Sequence, residues 1–195
     1  MARPVEFERE DVLANAMEQF WREGYEASSV QKLLDVTGIN RGTLYNSFGD
    51  KDAFFKSCLD KYNGLLKAAI DATLGNAELK GWDAIEAYFG AAVTAVSNKQ
   101  RNLGCLLVNS VCGSVNYDKE VQKLLKASLN NIRKALLDRS KELEKAGQLK
   151  KGVVADTATE VLMNTLNGLR VASRTGKTPK QMEEVVAFTI ASLKK

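Results

Sequence analysis

Residues 37–51 of the 195-residue chain read TGINRGTLYNSFGDK, and the turn and capping residues in this stretch determine the predicted fold. Gly38 suits a tight turn between two helices, and Asn40 is a good N-cap for the helix that follows it. Gly49 ends that helix, and Asp50 caps the next one. The spacing therefore predicts two short helices that meet at a sharp turn and are followed at once by a long helix.

The residues before this stretch predict a helix that supports it. Residues 8–23 place apolar side chains on one face at i, i+4 spacing, which is typical of an amphipathic helix. Ser28 and Gln31 fit a capping box in which Ser28 is the N-cap of a short second helix. Because helices of about eight residues are not stable alone, we expect the first helix to brace the second and the third.

The third helix is predicted to have an inner and an outer side. Leu44 and Phe48 fall on the inner side, toward the other helices. The outer side carries residue types that read base edges, since Arg suits guanine, Asn suits adenine and Thr suits the methyl group of thymine. A glycine there costs helix propensity but allows a close backbone approach. The outer set is Arg41, Gly42, Thr43, Tyr45, Asn46 and Ser47.

The remainder of the chain also follows helical periodicity, which predicts an all-α protein of about nine helices. The sequence has only two prolines, and neither lies within residues 5–178, as an interior made of helices requires. The apolar run over residues 103–115 predicts one continuous sixth helix. Thr178, Pro179 and Gln181 supply an N-cap, a first-turn proline and a capping-box partner for the last helix.

Composition excludes several classes of function. The chain has 28 Lys and Arg against 24 Asp and Glu, and residues 1–51 hold six of the basic and nine of the acidic side chains. DNA binding by this part would therefore depend on local placement of charge. The absence of His excludes Ser-His-Asp triads and His-ligated metals. No Gly-rich phosphate loop or paired-carboxylate motif occurs, so we expect no catalytic residue, metal or cofactor, and an all-α enzyme is the weakest alternative.

Cysteine usage and hydropathy predict a cytoplasmic protein. The three cysteines have wide spacings that suggest no disulfide framework. The first residues lack the apolar core of a signal peptide. No run approaches the roughly 18 apolar residues of a membrane span, so we expect no membrane partner.

Residues 8–55 resemble the DNA-binding domain of the TetR (tetracycline-repressor-like) family. The segment over residues 24–30 (GYEASSV) and the stretch over residues 37–51 carry the resemblance. It implies a ligand-responsive regulator of transcription, a repressor that a small-molecule effector releases from a palindromic operator. It also implies a helix-turn-helix domain at residues 1–50 and a helical effector-binding and dimerisation domain at residues 51–195.

The resemblance implies a set of DNA contacts. Ser28 or Ser29 would hold a phosphate, although Ser28 has the alternative of acting only as a cap. Tyr45 and Lys51 would contact further phosphates, while the third helix faces base edges and the N-terminal arm enters the minor groove. Family members often carry a basic residue or His after the tyrosine, where this chain has Asn46, so the operator preference would differ. The candidates are Arg3, Ser28, Ser29, Asn40, Arg41, Gly42, Thr43, Tyr45, Asn46 and Lys51.

The resemblance also implies a homodimer and an effector pocket. The last two helices, about residues 153–194, would pair with those of a second subunit in a four-helix bundle. The effector would bind among the fourth to eighth helices. The candidates for its pocket are Tyr62, Phe89, Cys105, Asn109, Cys112, Met163 and Asn167.

Two of these candidates support an alternative sensing chemistry. Cys105, Asn109, Cys112 and Asn116 follow i, i+4, i+7, i+11 spacing and would share one face of the sixth helix. Cys105 also follows Arg101 near a predicted helix start, where positive charge favours a reactive thiolate. A thiol sensor of oxidants or electrophiles with DNA as its output is thus one interpretation. Small buried cysteines that merely fill space are the favoured one.

Overall fold

The computed structural model of the protein describes residues 8–113 and 117–195. Over these ranges the chain forms ten α-helices and one π-helical turn, which confirms the all-α prediction. The elements are α1 (Arg9–Ala27), α2 (Val30–Thr37), α3 (Arg41–Phe48), α4 (Lys51–Ala72), α5 (Trp82–Phe89), the π-helical turn (Gly90–Thr94), α6 (Asn98–Leu103), α7 (Leu106–Cys112), α8 (Lys119–Lys145), α9 (Ala155–Arg174) and α10 (Pro179–Leu193). None of the helices in the described ranges is both long and apolar enough to cross a bilayer.

The first three helices form the helix-turn-helix that residues 37–51 predict. Gly38 ends α2 in the left-handed conformation at φ 70°, and the Asn40 side chain caps α3. Leu33 of α2 and Leu44 of α3 are fully buried. The chain direction changes a first time at Gly24, which has φ 82° and interrupts the helical geometry of α1. The short helices are thus held by the core that they share with α1.

We call α1 to α3 the head and the described residues from α4 onward the body, and α4 connects the two. Asp50 caps it, with its side chain accepting a hydrogen bond of 2.8 Å from the Ala53 amide. Its first turns bury Phe54 and Phe55 against Phe20 of α1, at ring-centroid distances of 6.4 and 4.8 Å. α4 therefore packs directly on the head from which it starts.

The predicted continuous helix over residues 103–115 is wrong. The chain forms α6 and α7 instead, separated by Gly104 and Cys105. Gly104 has φ 72°, and a Cβ atom there would lie 2.8 Å from the Arg170 carbonyl oxygen of α9. The close approach of α9 therefore requires a glycine and a break at this point. The preceding helix is also interrupted, because the regular α5 ends at Phe89 and gives way to the π-helical turn.

The last three helices complete the body. α8 packs along α9, and α10 packs on α9 and on the π-helical turn. The capping box of Thr178 and Gln181 and the Pro179 start of α10 are confirmed. Buried Arg139 of α8 donates hydrogen bonds of 2.5 and 2.7 Å to the carbonyl oxygens of Leu74 and Asn76, which fixes the α4–α5 connection to the body.

α9 and α10 also carry apolar side chains that this single chain leaves in solvent. Phe188 is 76% exposed, a high value for so large an apolar side chain. The exposed members on these two helices are Val161, Val171, Val185 and Phe188.

Candidate functional site

The outer side of α3 is available to a partner, as its sequence predicts. Arg41, Gly42, Tyr45 and Asn46 are exposed, and Thr43 is partly exposed. Leu44 and Phe48 are buried on the opposite side. The Asn40 side chain accepts a hydrogen bond of 2.8 Å from the Thr43 amide, so this candidate is engaged in holding the first turn of α3.

Arg9 of α1 secures the other end of α3. Its guanidinium carbon lies 4.3 Å from the centroid of the Phe48 ring, and its Nη1 donates a hydrogen bond of 2.9 Å to the Ser47 carbonyl oxygen. A cation at a helix C-terminus is favoured by the helix dipole. Phe48 also packs on Phe54 of α4, with ring centroids 4.5 Å apart. Arg9 was missed as a positioning residue, because its place in the first turn of α1 gives no sequence signal for a contact with α3.

The predicted capping box of α2 is wrong by one residue. Ser29 is the N-cap, accepting a hydrogen bond of 3.3 Å from the Lys32 amide. Ser28 is fully buried, and its hydroxyl donates a hydrogen bond of 2.7 Å to the Gly24 carbonyl oxygen, which the turn at Gly24 presents. The Gln31 side chain donates to Asp35 instead of reaching back to the cap. Ser29 is therefore the exposed hydroxyl of the pair.

Lys51 stands at the start of α4 with its ammonium over an aromatic ring. Its Nζ lies 4.2 Å from the centroid of the Tyr25 ring. Partial burial lowers the pKa of Lys51, while the Glu26 and Asp52 carboxylates act in the opposite direction. The Tyr25 hydroxyl donates a hydrogen bond to the Asp52 carboxylate. Burial raises the pKa of Tyr25 most, and this hydrogen bond raises it further. Arg3, the remaining DNA candidate, lies outside the described residues.

A cavity of about 140 Å³ lies between the head and the body. α1 contributes Trp21 to its wall, and α4 contributes Tyr62, whose ring meets Trp21 edge-on at 5.1 Å. Apolar side chains of α4 and of the π-helical turn form much of the remaining wall. Arg170 of α9 and Arg101 of α6 supply two guanidinium groups to it. A side chain of α1 thus forms part of the wall of a cavity that α4, α6 and α9 also line.

The predicted effector residues do not gather in this cavity. Tyr62 lines it, whereas Phe89 lines a separate cavity of about 240 Å³ between α5 and α10. Met163 is buried in α9 outside the wall, and the buried Asn167 Oδ1 has no hydrogen-bond partner among the described residues. The apolar periodicity that suggested these positions identifies inward-facing residues without showing which space they face.

The predicted face shared by Cys105 and Cys112 is also wrong. Cys105 precedes α7 in an extended conformation and is buried, whereas Cys112 is exposed at the end of α7. Asn109 donates a hydrogen bond of 2.8 Å to the Leu103 carbonyl oxygen, and Asn116 lies outside the described residues. The Tyr62 hydroxyl donates to the Cys105 sulfur at 3.5 Å.

Arg170 was missed, although a signal for it exists. It occupies an inward register of α9 between the buried Leu166 and Ser173, and only 4% of it is exposed. Burial raises the pKa of Tyr88 and of Tyr62, and the positive charge of Arg170 acts against both shifts. A basic residue on an apolar helix face is the pattern that would have pointed to it.

Comparison with known proteins assigns the head and the fold. Residues 12–58 match the model of the family described as "Bacterial regulatory proteins, tetR family". The chain is 26% identical to the HTH-type transcriptional repressor ComR of Escherichia coli (strain K12) over 189 residues, which cover 96% of this chain and 90% of that protein. It is 28% identical to the uncharacterized HTH-type transcriptional regulator YezE of Bacillus subtilis (strain 168) over 173 residues, 88% of this chain and 87% of that protein.

Solved structures share the complete fold. A cysteine-substituted form of the TetR family transcriptional regulator CifR, complexed with 26-base-pair operator DNA, superposes with a TM-score of 0.83 at 21% identity, covering 98% of this chain and 100% of that chain. The regulatory protein TetR from Rhodobacter sphaeroides superposes with a TM-score of 0.85 at 14% identity, covering 94% of this chain and 97% of that chain.

Proposed function

Because the chain belongs to the TetR family of bacterial transcriptional regulators, we propose that it is a repressor that leaves its operator when a small molecule fills the cavity between head and body. The observation that carries the proposal is the α3 helix, which buries Leu44 and Phe48 and leaves Arg41, Tyr45 and Asn46 exposed within the family-matched region. Operator DNA lies in the bacterial cytoplasm, so the protein acts there.

The exposed residues of the head divide into two groups by chemistry. Arg41, Thr43 and Asn46 face base edges in the major groove, and Gly42 allows α3 to approach them closely. Ser29, Tyr45 and Lys51 bind phosphates, which fixes the register of α3 on the duplex. Asn40 contributes by holding the first turn of α3, and Arg3 would extend the contact into the minor groove.

Two heads read one palindromic operator in this proposal. The exposed apolar side chains of α9 and α10, with Phe188 the most exposed, favour a homodimer through residues 153–194. Such a dimer places its two α3 helices on half-sites that are separated by whole turns of the duplex, about 34–36 Å each.

α4 couples the cavity to the heads. It begins at Lys51 next to α3, and its later residues Leu65, Leu66 and Ala69 line the cavity. A ligand that binds better to one position of α4 shifts the protein toward that position by its differential affinity. A spacing of the heads that no longer matches the half-sites then lowers operator affinity.

The direct test is binding to a duplex selected from random DNA with the purified full chain. We expect Arg41→Ala to weaken binding by about 1–3 kcal/mol, and Tyr45→Phe to weaken it by removing a phosphate contact. Lys141→Ala on α8 is the control, since it removes one exposed positive charge of the body. Parental affinity in both Arg41→Ala and Tyr45→Phe would show that α3 is not the reading helix.

A second candidate effector chemistry rests on Cys105. The Tyr62 hydroxyl donates to its sulfur, and the charge of Arg170 acts on the same pair of groups. In this alternative, peroxide oxidises the Cys105 sulfur to a sulfenic acid, with one oxygen transferred to sulfur and water released. Mass spectrometry after mild peroxide treatment tests this, and an unmodified Cys105 in protein that has left its operator would exclude it.

A further inference from the structure

We propose that the ligand of the head–body cavity is a small monocarboxylate with an apolar body, whose carboxylate pairs with Arg170. This inference rests on the proposed function for its biological meaning, and it names the chemical class of the effector. It follows from the charge, the unpaired donors and the apolar wall of the cavity.

Arg170 is a buried cation without an internal counter-charge. Its side chain is 4% exposed, and no carboxylate of the described residues forms an ion pair with it. Its Nη1 atom has no hydrogen-bond partner among those residues. Guanidinium groups remain protonated in proteins, so burial does not neutralise this charge. Burying an unpaired charge is costly, and an anion in the adjoining cavity removes that cost.

Two further buried donor atoms of the wall lack acceptors, although the Nη atoms of Arg101 are bonded to neighbouring oxygens. Arg101 Nε and Trp21 Nε1 are buried donors without partners in the described parts of the chain, and both residues line the cavity. Arginine and the indole nitrogen only donate hydrogen bonds. The described wall contains no Asp or Glu side chain. A ligand that supplies acceptors and a negative charge therefore complements it, whereas a cation does not.

The rest of the wall selects the body of the ligand. Leu66 and Ala69 of α4 face the same space as Ala92 and Val93 of the π-helical turn. Apolar walls with a few convergent polar groups are typical of small-molecule sites. A fully polar anion such as inorganic phosphate would leave these side chains without contact. A short-chain or aromatic carboxylate matches both parts of the cavity.

Cys105 is an alternative counter-ion for Arg170 within the protein itself. Its sulfur accepts a hydrogen bond from Tyr62 and is buried, but Cys105 does not belong to the cavity wall. If the Cys105 thiolate were the counter-ion of Arg170, the positive charge would already be neutralised. A carboxylate on the ligand would then add little binding affinity.

The experiment measures binding to the full chain without DNA, by calorimetry and by the fluorescence of Trp21 in the cavity wall. The probes are hexanoate and benzoate, each compared with its neutral amide of nearly the same shape. We expect each carboxylate to bind at least tenfold more tightly than its amide, because a hydrogen-bonded charge pair contributes more than a neutral contact. Arg170→Met should remove this preference, and Arg133→Gln, which removes a partly exposed guanidinium of α8 that pairs with Glu160 away from the cavity wall, should preserve it.

Several results would overturn the proposal. They are equal binding of acid and amide by the parent, no binding of any of the four probes, and a carboxylate preference that survives Arg170→Met. A preference that emerges only in Cys105→Ser would identify the thiolate as the counter-ion and overturn it as well. The comparison within the parent decides the matter if Arg170→Met fails to fold.

Operator binding without ligand is measured separately. A protein that binds its operator but not the carboxylates retains the proposed function and refutes this inference. A protein that binds the carboxylates but no operator supports this inference and refutes the proposed function.

Discussion

Gly104→Ala tests the physical reason for the break between α6 and α7. The alanine Cβ would lie 2.8 Å from the Arg170 carbonyl oxygen and 2.9 Å from two side-chain carbons of Arg174. The side-chain carbons can move, but the carbonyl belongs to the backbone of α9. Gly104 also has φ 72° and ψ −133°, a sparsely populated conformation that costs a non-glycine residue about 1–3 kcal/mol. Displacing packed neighbours costs about 1–3 kcal/mol more, so we expect a loss of about 2–6 kcal/mol in the free energy of unfolding.

Gly64→Ala is the matched control for this change. Gly64 lies inside α4, is exposed, and has no atom within 4 Å of a Cβ built on it. Alanine is favoured over glycine inside a helix by about 1 kcal/mol, so this variant should be slightly more stable than the parent. Urea unfolding at one protein concentration, followed by circular dichroism, measures both. Equal stability of Gly104→Ala and the parent would refute the close approach of α9 as the reason for the break.

Three further predictions concern the dimer, pH and the thiols. Phe188→Glu should convert the proposed dimer to a monomer in analytical ultracentrifugation, and a dimer mass retained in the variant would place the interface elsewhere. Burial raises the pKa of Cys58 to about 12, so the unfolded thiol ionises first and stability should fall between about pH 9 and 12. Cys58→Ala should flatten that decline in urea titrations. Native protein should react with one equivalent of a bulky thiol reagent, which unlike peroxide reaches only exposed Cys112, and Cys112→Ser should abolish this reaction until urea exposes Cys58 and Cys105.

The helix-turn-helix could be predicted because its boundaries are set by local chemistry. Asn40 and Asp50 cap the helices that follow them, and Gly38 adopts the left-handed turn that few other residues accept. The outer side of α3 follows from the inward register of Leu44. The local sequence could not predict which of Ser28 and Ser29 caps α2, because the orientation of the Gly24 carbonyl decides which hydroxyl is buried.

The body could be predicted only as a set of helices. The break at Gly104 depends on the distance to α9, which is a contact between residues far apart in the chain. Apolar periodicity marked Phe89 and Met163 as inward-facing, but it carries no information on which cavity they approach. Apolar periodicity does not predict Arg170, because a cation in an apolar register departs from the pattern by which buried positions are recognised.

The edge-on contact between Trp21 and Tyr62 limits how freely this head can be exchanged. A chimaera that joins the head to a different regulator body at residue 50 would keep Trp21 but lose Tyr62, along with Phe55 beneath Phe20. The new body would have to restore these aromatic contacts and also provide its own ligand cavity. Transplanting α1 to α3 together with the first twelve residues of α4, through Tyr62, preserves these aromatic contacts and so defines the smallest exchangeable unit.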